Sequence, residues 1–193
     1  VRDMGSMFAG ATSFTSDLSK WNVGKVKFMG KMFERATSFT SDLSKWNVGK
    51  VESTRSMFAG ATSFTSDLSR WDVSKVERMA HMFERATRFS SDLSQWNVSK
   101  VRYMDSMFES ATSFTSDLSM WNMANVKHTD GMFAGAVSFG PPLVQGADRG
   151  WTPESLDEHM KKVESSPVLK TYRARRRWRE VRELWYVAWS VVR

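Results

Sequence analysis

The sequence contains no cysteine, so no disulfide and no thiolate metal centre is available anywhere in its 193 residues. No apolar run reaches the roughly 18 to 20 residues that a membrane-spanning helix needs. Its three histidines, His81, His128 and His159, stand apart in sequence, and none belongs to a His-Glu-x-x-His spacing. Neither a Gly-x-Ser-x-Gly elbow nor a phosphate-cradling glycine loop occurs. These absences remove the usual supports for hydrolytic, metal-dependent and nucleotide-dependent catalysis. The expectation is a protein that is not an enzyme, with no catalytic residue, no cofactor and no metal ligand assigned. Disorder is disfavoured as well, because 41% of the residues are hydrophobic, 13% aromatic and only 25% charged.

What is present is a repeat. Tryptophans fall at Trp21, Trp46, Trp71, Trp96 and Trp121, always 25 residues apart. Met-Phe pairs keep the same period from Met7-Phe8 to Met132-Phe133, as does a second phenylalanine from Phe14 to Phe139. Asp-Leu recurs from Asp17-Leu18 to Asp117-Leu118. A strict period of this length is the mark of a stack of units, each burying its apolar face against its neighbours. Shifting Val26 and Met29 back by one period lands on Val1 and Met4, so the sequence predicts a fragment that starts inside a unit.

Within the unit from Val26 to Lys50, two patterns alternate. Val26, Met29, Met32-Phe33 and Ala36 have the spacing of one helical stripe, which predicts a short helix or a tight helical turn. Thr40-Ser41-Asp42 suits a turn, because small polar side chains bond local amides. Trp46-Asn47-Val48 alternates inward and outward, which predicts a short strand. Helix, turn, strand and return turn describe a leucine-rich-repeat-like, right-handed horseshoe of about six coils, an α/β solenoid over residues 1–150. A parallel β-helix without helices is the alternative.

The unit resembles a known repeat. It reads Leu18-x-x-Trp21-x-Val23-x-x-Val26-x-x-Met29-x-x-Met32-Phe33-x-x-Ala36-x-x-Phe39. That pattern is similar to the mycoplasma-type 25-residue repeat of BspA-like leucine-rich-repeat surface proteins, W-D-V-S-N-V-T-N-M…M-F…A…F-N-x-D-L-S. It survives best in Trp71-Asp72-Val73-Ser74 and in Met82-Phe83…Ala86…Phe89-Ser90-Ser91-Asp92-Leu93-Ser94. Two asparagines of the family pattern are replaced here, one by Thr or Ser and the other mostly by Lys. The resemblance covers about residues 1–143. It implies a cell-surface or secreted protein with a binding or adhesion role, and no reaction.

Candidate binding residues lie on the outward positions beside each tryptophan. Lys20, Lys45, Arg70, Gln95 and Met120 form one column; Asn22, Asn47, Asp72, Asn97 and Asn122 form a second, with Lys25, Lys50, Lys75 and Lys100 along its edge. On a horseshoe these occupy the concave face, and Lys20, Asn22, Lys45, Asn47, Arg70, Asp72, Gln95, Asn97 and Asn122 are the candidate site. The competing reading is a solvated face in which the asparagines form a ladder among themselves. A protein or an anionic glycan or polymer is the partner these residues suit, with the lysines steering it. Nucleic acid is disfavoured, because no exposed aromatics interleave with the cations. The Asp17–Asp117 column is expected to cap turns; a calcium row is the alternative, although no Asp-x-Asp loop accompanies it. Asn97-Val98-Ser99 is a lone glycosylation sequon.

The sixth unit decays after Phe139, where Pro141-Pro142 cannot donate ladder hydrogen bonds and should end the array. Residues 151–193 form a separate Arg- and Trp-rich tail. Thr152-Pro153 reads as a helix start, and a second helix is expected from about Val168, with Trp178, Val181 and Trp185 on one face. Three readings of the tail stand: a cap over the open end of the stack, a basic segment for an anionic membrane or nucleic acid, and a misjoined gene end. The net charge of +7 falls more densely on this tail than on the repeats. An intracellular scaffold tethered by the tail is therefore the alternative to a surface adhesion module.

Overall fold

The structure is a computed structural model and describes residues 1–118 and 120–139. The expected stop at Pro141-Pro142, the end of the repeat region near residue 150 and the helical tail over 151–193 lie outside the described residues. We number the repeats as units of 25 residues: 1–25, 26–50, 51–75, 76–100 and 101–125, with the sixth beginning at 126.

Each unit is hydrogen-bonded to the next at the same positions. In the third unit the amides of Thr54, Ser56, Phe58 and Gly60 donate to the carbonyls of Arg78, Ala80, Met82 and Glu84, at 2.6 to 3.0 Å. The amides between them turn back within the unit: Met57 to Thr54, Ala59 to Ser56 and Ala61 to Phe58. Alternate N–H groups thus serve the neighbour and the local turn. Parallel bridges run through Asp3, Phe28, Ser53, Arg78, Tyr103 and His128, one residue per unit.

No α-helix forms among the described residues, which corrects the helical half of the sequence reading. The reason is visible in the rings. Phe8, Phe33, Phe58, Phe83, Phe108 and Phe133 stack at centroid distances of 5.5 to 5.7 Å from unit to unit. The Phe14-to-Phe139 column stacks at 5.7 to 6.1 Å. Helices pack with axes about 8–10 Å apart, so rings carried on one helix per unit would be held beyond this contact. The three-residue spacing has another origin: Met32 donates to Met29, Ala36 to Phe33 and Phe39 to Ala36, each an i to i−3 turn. A succession of such turns puts every third side chain inside, as one helical face would.

The strand expected at Trp46-Asn47-Val48 is likewise two corners. Trp46 N–H bonds back to Leu43, and Val51 N–H to Val48. The inward–outward alternation expected there is present: Trp46 and Val48 are buried and Asn47 is exposed. The bridged positions are instead those of Phe28 and Ser53.

The alternating peptide directions require a left-handed backbone at two places per unit. Glycine fills some of them, as at Gly10 (φ 72°) and Gly60 (φ 70°). Elsewhere Lys31, Arg35, His81, Arg85 and several serines hold φ between 50° and 60°, at a cost of about 1–2 kcal/mol per L-residue. Their amides are the forward donors, Lys31 to Arg55 at 2.8 Å and Arg35 to Ala59 at 2.7 Å, so unit-to-unit bonding holds the strained conformation.

The core is one continuous column. Within a unit the two phenylalanines stack face to face at 3.9 to 4.2 Å. The indole lies tilted against the first of them, as in Trp71 on Phe58 at 6.3 Å. Each interior indole also donates to the unit before it: Trp46, Trp71, Trp96 and Trp121 bond the carbonyls of Leu18, Leu43, Leu68 and Leu93 at 2.8 to 3.0 Å. A buried polar handle is thereby satisfied, and its partner fixes the register.

Candidate functional site

With the aromatic columns committed to the core, chemistry is left to the outward positions. Their backbone is held by the Asp-Leu-Ser turn. Asp17, Asp42, Asp67 and Asp92 each accept the amide two residues on, at 2.8 to 2.9 Å. The serine of the following unit completes the turn from outside. Ser66 Oγ accepts the buried Leu43 N–H at 2.8 Å and donates to Asp42 at 3.2 Å. Ser41, Ser91 and Ser116 repeat this relay for the units around it. The backbone amide two residues on is the main reason each of these carboxyls is held below its ordinary value near 3.8. The aspartates cap turns, as the sequence suggests.

All nine residues of the sequence-derived site, Lys20, Asn22, Lys45, Asn47, Arg70, Asp72, Gln95, Asn97 and Asn122, are exposed. The Asn/Asp column does not form a ladder among its own side chains. Asn22, Asn47, Asp72, Asn97 and Asn122 each accept the amide two residues on, at 3.1 to 3.2 Å. One oxygen of each is therefore spent on its own corner. Asp72 is also held low, chiefly by Ser74. Its second oxygen would lie 3.0 Å from a Cβ at Gly49, so glycine there makes room for the carboxylate of the next unit.

The structure brings together two groups that the sequence reading kept apart. The first is an open groove of about 480 Å³ lined by Glu77, Lys100, Arg102, Asn125 and Lys127. Of the residues singled out from the sequence only Lys100, from the edge column, lies on it. Asn125 takes the next place in that lysine column, and its Nδ2 donates to Ser99 O at 2.6 Å. The signal was present as a second outward column, Arg2, Lys27, Glu52, Glu77, Arg102 and Lys127, one residue per unit.

The second group is Asp105, His128 and Asp130, whose ligand atoms all lie within 4.8 Å of one another. Asp105 is half-buried and the other two are exposed. The His128 ring stacks on Tyr103 at 5.0 Å. An imidazole and two carboxylates form a donor set suited to a divalent transition metal. His128 looks isolated in the sequence because Asp105 is a whole unit away.

Among the described residues the ion pairs are few and local. Lys27 meets Glu52 at 2.6 Å across adjacent units, Lys31–Glu34 and Arg85–Glu84 are neighbours along the chain, and the His81 ring contacts Glu84 at 2.9 Å. No helix of the described residues is long and apolar enough to cross a membrane.

No curated protein matches the chain. Two overlapping stretches, residues 1–86 and 64–165, each match the family described as Mycoplasma protein of unknown function, DUF285. Together they span most of the sequence and follow the repeats described above, and the chain belongs to this mycoplasma-type repeat family.

Proposed function

We propose that the repeats form a solenoid of the BspA-like type and act as a non-enzymatic binding or adhesion module of a surface protein. The observation that carries this reading is a division of labour between columns. Inward positions repeat almost without change: the second to fifth units each put Met-Phe, a second Phe and Trp into the core. Two of the outward columns do not repeat. The bridged column runs Asp3, Phe28, Ser53, Arg78, Tyr103 and His128, and the column beside tryptophan runs Lys20, Lys45, Arg70, Gln95 and Met120. A constant frame with a variable outer face is what recognition of a large partner requires, and repeat arrays commonly bind through such extended surfaces. The partner is a protein or an anionic glycan.

The test uses the full chain as a probe against immobilised sulfated, carboxylated and neutral glycans and purified matrix proteins. Saturable binding to at least one, competed by the same ligand in solution, is expected. A folded chain that binds none of them saturably overturns the reading.

The alternative, an intracellular scaffold held at a membrane surface, rests on Arg173, Arg175, Arg176, Arg177 and the neighbouring Trp178. Co-sedimentation of the full chain and of a chain ending at residue 167 with anionic vesicles separates the two. Salt-sensitive binding that disappears with the tail favours the scaffold.

A further inference from the structure

We infer that the groove between Lys100, Arg102 and Lys127 binds a linear polymer bearing sulfate or phosphate esters. The inference rests on the binding-module reading and names the face and the ligand chemistry.

Two outward columns meet at the groove. One carries Lys25, Lys50, Lys75 and Lys100, all exposed. The other carries Arg2, Lys27, Glu52, Glu77, Arg102 and Lys127. In the first half of the stack the acids offset the bases, and Lys27 is already paired with Glu52 at 2.6 Å. Past Glu77 the column turns wholly basic. Lys100, Arg102 and Lys127 make no ion pair among the described residues, and they share the groove with a single carboxylate, Glu77.

The lining discriminates between ligand classes. It is open and every side chain on it ends in a charged or polar group, whereas sites for small organic ligands are enclosed. No aromatic ring lines it, so nucleic-acid bases would find no stacking platform there. A guanidinium offers a planar fork to an oxoanion, and the two ammonium groups, about one repeat length apart in sequence, can neutralise its remaining oxygens. A tetrahedral sulfate or phosphate ester presents enough oxygens to meet cations of successive units together; a planar carboxylate presents two. Because the groove is open and Lys100 on its wall belongs to the exposed lysine column, a chain of such esters extends the contact and a single ion does not.

The experiment is isothermal titration of the full chain with dextran sulfate, dextran phosphate and polyglutamate, each at 50 and 200 mM salt. Dextran sulfate and dextran phosphate distinguish the two ester sources, and polyglutamate is the carboxylate control. Binding to at least one of the first two is expected, stronger than to polyglutamate and falling steeply with salt. Two triple variants decide the location: Lys100→Glu/Arg102→Glu/Lys127→Glu and Lys20→Glu/Lys45→Glu/Arg70→Glu. Both change the net charge equally, so a general electrostatic effect weakens both alike. The groove predicts a loss of about tenfold or more for the first and less than about twofold for the second, with circular dichroism unchanged. Glu77→Gln should tighten binding, and it tests the groove without risking the fold. Equal losses in the two triples, equal binding of polyglutamate, or no polyanion binding at 50 mM salt overturns the groove. If the second triple alone abolishes binding, the groove falls while the binding-module reading stands; failure of every immobilised partner sinks both.

Discussion

Residues 6–19 and 56–69 have the same sequence, and the chain treats them differently. Met7 is 46% exposed and Met57 is fully buried; Phe8 and Phe14 are partly buried, whereas Phe58 and Phe64 are sealed. Just past the identical stretch, Trp21 is 38% exposed and Trp71 3%. Residues 56–69 have a described unit on each side, and residues 6–19 have one on a single side. A unit of this kind has no core of its own. Its rings become interior only where a neighbour lays a second set on top, so stability resides in the contacts between units.

The largest effect expected from this comparison concerns the rings. Phe58 touches Phe33, Phe64, Trp71 and Phe83, whereas Phe8 meets Phe14, Trp21 and Phe33. Phe58→Ala should cost about 3–5 kcal/mol in urea unfolding, and Phe8→Ala roughly 1–2 kcal/mol for its smaller loss of burial. Equal losses would mean that the two copies are equivalent and that neighbours contribute little.

Next in size is the serine relay. Ser66→Ala removes the acceptor of the buried Leu43 amide together with a donor to Asp42. A loss of about 1–3 kcal/mol is expected, with faster hydrogen exchange at Leu43. Its counterpart Ser16 is exposed and serves no earlier unit among the described residues, so Ser16→Ala should stay within about 0.5 kcal/mol. Unchanged exchange at Leu43 in the Ser66 variant would remove the relay from the account.

The smallest effect is one in which the two copies should agree. Asp17 and Asp67 are capped in the same way, by their own turn and by a serine of the following unit, and both carboxyls are held low. A depressed folded value gives stability that is fully present above the unfolded value near 3.8 and is lost as pH falls through the lower folded value. Thermal stability should therefore be level from neutral pH down to about 5 and decline below about 4. Carboxyl titration followed by NMR should place both aspartates below the ordinary range. An ordinary value for Asp17 alone would show that the two caps are not equivalent.

The core columns were legible because their period is exact and their residues are large; Trp46, Phe33 and Phe39 are inside as the spacing requires. The helix was misread because Met29, Met32 and Ala36 recur at a spacing that a run of three-residue turns shares with one face of a helix. Left-handed positions were invisible, since Lys31, Arg35 and His81 occupy conformations usually left to glycine. The groove and the Asp105–His128–Asp130 group escaped notice for a different reason. Their members are distant in sequence and adjacent in space, and only the stacking of units joins them.

The identical stretches also bear on how such a chain can change in length. A recombination that joins residue 19 to residue 70 deletes two whole units and leaves an unbroken sequence. The phenylalanine columns then still stack, and each indole with a described unit before it still reaches a leucine carbonyl, because the junctions are alike. A gene of this construction can lengthen or shorten by whole units without the rest of the protein being rewritten. The outward columns are what such an exchange would reshuffle.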